Sequence, residues 1–237
     1  MARIPAGKFP DGLAYSPETG KVFVSDERGG KETVIEAKTN RRLNTIDMGG
    51  EVGNTQYDAG AHRILANVQT RNQVVVIDPQ TEKIVGRHTL AGGESPHGLL
   101  IVADKRLAFA ACEGDSKLLV VDLATFEVKQ VLTTGEGPDV LAFDPGLERL
   151  YVATESDIVS VFQLKDKTLQ KLEDLRVAPN AHTISVNPET HEVYLPPREC
   201  ERPPGSSHHE SQPRREEDRR RSTKEGRVTH EDPPCNL

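Results

Sequence analysis

Lys21–Glu27 reads KVFVSDE, and the same cadence returns as RILANVQ at Arg63–Gln69, RLAFAACE at Arg106–Glu113, RLYVATE at Arg149–Glu155 and EVYLPP at Glu192–Pro197. The spacing is about 43 residues, and each unit holds several short runs rich in β-branched and aromatic residues, bounded by turn residues. A fixed period of that length with four strand cues per unit predicts a β-propeller blade. In the third unit the cues fall near Gly98–Val102, Arg106–Ala111, Lys117–Asp122 and Glu127–Thr133. The turns repeat as well. Ser16-Pro17-Glu18-Thr19-Gly20, Asp144-Pro145-Gly146 and Asn187-Pro188-Glu189-Thr190 join first to second strands, and Asp78-Pro79-Gln80-Thr81 and Asp122-Leu123-Ala124-Thr125 join third to fourth. Proline presets φ, glycine accepts positive φ, and Asp or Asn closes the corner through its own side chain, so Asp78 and Asp122 read as turn formers.

The predicted fold class is therefore all-β: a propeller of four-stranded antiparallel blades, with about four and a half blades in residues 1–197 and an incomplete ring. The blades span about 8–50, 51–93, 94–135 and 136–178, with a partial one at 179–197. Arg3-Ile4-Pro5-Ala6-Gly7 resembles the outgoing end of a preceding blade. From about Arg198 the composition turns to Arg, Glu, Pro, Ser and His with almost no large apolar residue, which predicts a disordered low-complexity tail over 198–237 and suggests an out-of-frame end.

With a formal charge of −7, the 237-residue chain is a poor match for nucleic acid or an anionic membrane, both of which reward a basic face. No apolar run approaches the roughly 20 residues of a membrane span, and the Met-Ala-Arg-Ile-Pro start lacks the apolar core of a signal peptide. Cys112 lies in a strand core and reads as a small apolar residue. Cys200 and Cys235 fall in the tail beside His208, His209 and His230, at spacings that match no folded zinc site. No nucleophile elbow, P-loop, HExxH or CxxCH is present.

The stretches PDGLAYSPETGKVFVSDE (Pro10–Glu27), GPDVLAFDPGLERLYVATESDIVSVFQL (Gly137–Leu164) and VVVIDPQTEKIV (Val74–Val85) resemble YVTN-type β-propeller repeats. Tyr151-Val152-Ala153-Thr154 is close to the family's namesake tetrapeptide, with Ala and Thr where Thr and Asn would stand. The resemblance covers roughly Ile4–Pro197. It implies a seven-bladed ring, of which this chain would hold a part, kinship to the haem d1 and quinoprotein amine dehydrogenase propellers, and frequent export from the cytoplasm.

In a propeller the first strand of each blade lines the axis, and the loop entering it rims one mouth. The corresponding positions are Asp11, Asn54, His97, Asp139 and His182. Either they form a small-molecule or metal site, since carboxylate and imidazole are competent ligands, or they satisfy backbone amides at the strand entry and face channel water. A second polar set follows the second strands: Asp26 and Glu27, Asn67 and Gln69, Glu113 and Asp115, Glu155 and Asp157. Such residues more commonly cap loops than carry chemistry.

The leading functional expectation is a non-enzymatic scaffold without a cofactor. It would bind an unidentified small molecule or protein, and exposed blade edges would favour self-association. One alternative resembles lactonase-like propeller hydrolases, which hold a divalent ion on the axis through Glu, Asn and Asp. Another resembles redox propellers holding a haem- or quinone-type cofactor, with His97 or His182 as an axial or pocket residue. Fold does not choose among them.

Overall fold

Runs such as Val74-Val75-Val76-Ile77 and Leu118-Leu119-Val120-Val121 have no polar face, which requires a strand covered on both sides. The computed structural model, which describes residues 2–179 and 182–196, places them as third strands inside four-stranded sheets. Blade 1 is β1 (Pro10–Ser16), β2 (Lys21–Asp26), β3 (Lys31–Glu36) and β4 (Arg41–Asp47). Blade 2 is β5 (Val52–Asp58), β6 (Arg63–Val68), β7 (Gln73–Asp78) and β8 (Lys83–Thr89), with a 3-10 turn at Gln69–Arg71. Blade 3 is β9 (Pro96–Val102), β10 (Leu107–Cys112), β11 (Lys117–Asp122) and β12 (Val128–Thr133). Blade 4 is β13 (Pro138–Asp144), β14 (Arg149–Thr154), β15 (Ile158–Lys165) and β16 (Thr168–Arg176); β17 (Ser185–Val186) and β18 (Val193–Tyr194) form a two-stranded sheet after it. Each sheet is an antiparallel meander in chain order. The outermost strands alternate between half-buried and exposed residues, as Lys83–Thr89 does, because one of their faces meets solvent.

The core lies between blades rather than within them. Phe23, Val34, Ile46 and Met48 of blade 1 pack on Val52, Ile64, Val68, Val75 and Ile77 of blade 2. Leu65, Val74 and Val76 then meet Leu99, Ala108, Cys112 and Leu119 of blade 3, and Phe109, Leu118 and Val120 meet Leu141, Leu150, Val152 and Phe162 of blade 4. Burying one such side chain stabilises by about 1.5–3 kcal/mol, so each interface is a substantial hydrophobic joint. Cys112 is one of these core residues, and burial pushes its thiol up to about 12.

Asp78 and Asp122 close their turns as turn formers do. Asp78 Oδ1 accepts the Gln80 amide at 3.0 Å, and Asp122 Oδ1 accepts the Ala124 amide at 2.7 Å. Ala6 of the leading segment accepts the Thr33 hydroxyl, and Asp26 accepts the Lys8 and Phe9 amides, so that segment lies against blade 1. Residues 197–237 lie outside the described residues, and with them the tail, its cysteines and its histidines. No helix among the described residues is long and apolar enough to cross a membrane.

Candidate functional site at the axial mouth

Every first strand begins with an irregularity. The pairing of β1 with β2 shifts between Pro10 and Leu13, that of β5 with β6 between Val52 and Thr55, that of β9 with β10 opposite Ala111 and Cys112, and that of β13 with β14 between Pro138 and Leu141. Such bulges re-aim the inserted side chains, and here they carry Asp11, Gly53-Asn54, His97 and Asp139. Register gives a correction: the counterpart of Asp11, His97 and Asp139 in blade 2 is Gly53, and Asn54 stands one residue further along, opposite Gly12 and Gly98. Glycine is needed there because a Cβ on Gly53 would fall 2.4 Å from the His97 carbonyl oxygen, and one on Gly98 1.9 Å from that of Asp139. The inner strands therefore meet backbone to backbone, which brings residues of four blades together.

At the centre is His97, whose side chain is 12% exposed. Its Nε2 lies 3.4 Å from Asp11 Oδ2 and 3.3 Å from Asp139 Oδ1. Asn54 Nδ2 donates to Asp11 Oδ2 at 3.3 Å and sits 3.4 Å from His97 Nε2. Burial alone would lower the basicity of the ring, but the two carboxylates outweigh it and carry His97 up to about 10. The His97 hydrogen bond in turn holds the Asp11 carboxyl below its ordinary range, against the opposing effect of burial. Both carboxylates thus meet the ring at Nε2 and favour its protonated form, while Nδ1 is buried without a partner. His182 does not join this cluster; its Nδ1 is 4.0 Å from Glu155 Oε1.

The residues after the second strands divide by role. Asp26 and Asn67 are buried structural groups; Asn67 Nδ2 donates to the Gly98 carbonyl of the next blade at 2.9 Å. Asp115 Oδ1 accepts the Glu94 amide. Glu113 feels the charges of His97 and Asp139, and those of Glu155 and Glu27. Loss of surrounding water raises the Glu113 carboxyl; His97 opposes that rise, and Glu155, Asp139 and Glu27 add to it. Glu113 and Glu155 also line a hollow of about 430 Å³ with Glu136, Gly137 and Ser156. The mouth therefore carries more carboxylates than cations. Among the described residues, no group of three or more His, Cys, Asp or Glu is arranged to hold a metal ion.

Sequence reasoning missed Glu32 on β3. It occupies the inter-blade position that Val74 holds in blade 2 and Leu118 in blade 3. It is fully buried, accepts the Thr55 hydroxyl through Oε1, and leaves Oε2 without a partner. Burial pushes its carboxyl up to about 8, with the Thr55 bond opposing.

No family model and no curated protein matches the chain. Solved structures do. Hydrazine synthase of Kuenenia stuttgartiensis superposes with a TM-score of 0.63 at 20% identity over 77% of this chain and 52% of that one. A functionally unknown protein of Desulfotomaculum acetoxidans gives 0.65 at 16% over 78% and 64%, and a chain of a mitotic checkpoint complex gives 0.66 at 12% over 78% and 57%. The chain has the β-propeller fold. It spans between about half and two thirds of the length of these chains, and at such identities the likeness shows the fold alone.

Proposed function

We propose that this chain is part of a non-enzymatic, YVTN-like propeller scaffold that binds a positively charged group of a small molecule or protein at its axial mouth. The observation that carries this reading is the convergence of Asp11, Asn54, His97 and Asp139 from four blades, with Glu113 close enough to feel His97 and Asp139 and with Glu155 beside Glu113 in the adjoining hollow. A surplus of carboxylates around a water-poor hub favours an incoming ammonium or guanidinium over an anion. The lactonase-like alternative asks for convergent metal donors, and His97 is instead committed to its carboxylates. The redox alternative asks for a free histidine at the axis, and His182 instead lies 4.0 Å from the Glu155 carboxylate. Leu13 and Tyr15 on the first strand of blade 1 are exposed, and that apolar surface would add self-association to this scaffold role.

Amide spectra recorded during titration with butylguanidinium and butylamine test the reading. Saturable shifts should appear at Asp11, Asn54, His97 and Asp139, and should be lost in a Glu113→Gln/Glu155→Gln variant. Shifts spread evenly over the surface, or unaffected by that variant, would reject it.

A further inference from the structure

The loop edge that bears the axial mouth carries a second, oppositely charged feature further from the axis. The turn after β2 (Glu27–Gly30), the turn after β4 (Met48–Glu51) and the 3-10 turn at Gln69–Arg71 enclose a hollow of about 520 Å³ between blades 1 and 2. A smaller hollow of about 250 Å³ adjoins it, sharing Gly49 and Arg71. Arg28, Lys31 and Arg71 line the first, and Arg71 and Arg87 the second. Four cations thus gather here in a chain of formal charge −7. Among the described residues none of the four is paired with a carboxylate, although twelve other ion pairs form elsewhere. Instead, Arg71 Nε donates to the Gly49 carbonyl at 3.0 Å, Arg87 donates to the Met48 carbonyl at 2.8 Å, and Arg28 lies 4.5 Å over the Phe9 ring. These contacts fix the guanidinium groups around the hollow while leaving their charge unneutralised. The acids that share the wall are Asp47, whose Oδ1 already accepts the Gly49 amide, and Glu51; behind it Asp26, opposite Lys31 across the strands, feels the Lys31 charge while accepting the Lys8 and Phe9 amides.

The walls are low because they are glycine. Gly30 and Gly49 sit at φ +63° and +79°, and a Cβ on Gly30 would come within 2.9 Å of the Gly50 carbonyl oxygen. Gly30 thus packs on the Gly50 backbone, whereas a Cβ on Gly49 would meet only Arg87 Nη2 at 3.9 Å, so the approach to that guanidinium is open at Gly49. We propose that this notch binds a small phosphorylated molecule through its phosphate groups. Arginine forks suit phosphate oxygens, and cations spread over two adjoining open hollows suit more than one phosphate group, which favours a diphosphate.

Isothermal titration of the full chain with pyrophosphate, glycerol phosphate and sulfate, at constant ionic strength, tests this, with amide shifts mapping the contact. Pyrophosphate should bind saturably with one-to-one stoichiometry and shift Gly29, Gly30, Gly49 and Gly50. Affinity should fall roughly tenfold or more in Arg28→Ala/Lys31→Ala and in Arg71→Gln, a single charge-assisted contact being worth about that. Asp139→Asn, at the mouth, should leave it unchanged, so failure here and failure of the axial reading are separable. Glycerol phosphate binding as well as pyrophosphate would assign the notch to monoesters, and pyrophosphate binding alone to diphosphates; both uphold the proposal. Sulfate matching pyrophosphate, or wild-type amides at the notch that do not move with about 5 mM pyrophosphate, would overturn it.

Discussion

Glu32 and His97 are buried ionisable groups displaced in the same direction for opposite reasons. Glu32 is raised by desolvation, so the fold prefers it neutral; its contribution is complete below 4.5 and fades as pH climbs towards about 8. Replacing Glu32 by Gln keeps the shape and removes the ionisation. The variant should match the parent in urea unfolding at pH 4.5 and exceed it by about 4 kcal/mol at pH 8. His97 is raised by its carboxylates, so its contribution is complete below 6.5 and is lost as pH rises to about 10. His97→Ala should cost about 1–3 kcal/mol at pH 6, since Asp11 and Asp139 then face each other uncompensated, and should flatten stability between 6.5 and 10. Equal pH slopes in parent and variant across that window would contradict the pairing. His97 was legible because it follows a proline at a repeated strand entry. Glu32 was not: Lys31-Glu32-Thr33 reads as a solvated strand end, and only superposition on Val74 and Leu118 reveals a carboxyl in a core slot.

At the level of strands, the period and the turn chemistry were enough to order four antiparallel strands per blade. They were not enough to fix the bulges. An inserted residue leaves the repeat length almost unchanged, so Asn54 looked equivalent to Asp11 while register assigns that place to Gly53. The glycines beside the bulges set how closely the inner strands approach. Gly98→Ala, whose Cβ would land 1.9 Å from a backbone oxygen, should cost roughly 3 kcal/mol or more, or prevent folding. Gly20→Ala, at φ +66° with no atom within 4 Å, should cost only about 1 kcal/mol. Thermal melts of the two variants measured side by side check this; equal losses would mean that the hub is looser than described.

Across the molecule, blade faces are interchangeable in kind but not in coverage. Leu99 and Leu141 at the inner strands of blades 3 and 4 are buried, whereas their blade 1 counterpart Leu13 is 67% exposed and nearby Tyr15 is 49% exposed. A face built to meet another blade is left open to water. Sedimentation velocity should therefore show concentration-dependent association of the chain, and Leu13→Lys/Tyr15→Lys should abolish it without lowering the melting temperature. A monomer at all concentrations would mean that this face is harmless.

The blades are also tied at the edge remote from the mouth, each by a different pair. His62 meets Glu18 at 2.5 Å, Arg106 grips Asp58 at 2.7 Å, Lys105 meets Glu148, and His191 holds Asp144 at 2.8 Å. Near-identical modules in one polypeptide risk docking out of order while the chain collapses. A latch of Arg on a buried Asp does not accept Lys on an exposed Glu without loss, so each joint recognises its own neighbour. Such discrimination would rest on Arg106–Asp58 and His191–Asp144, whose carboxylates are buried, and little on the exposed His62–Glu18 and Lys105–Glu148 pairs; making the buried latches uniform would weaken whatever cue they give to the order of the modules.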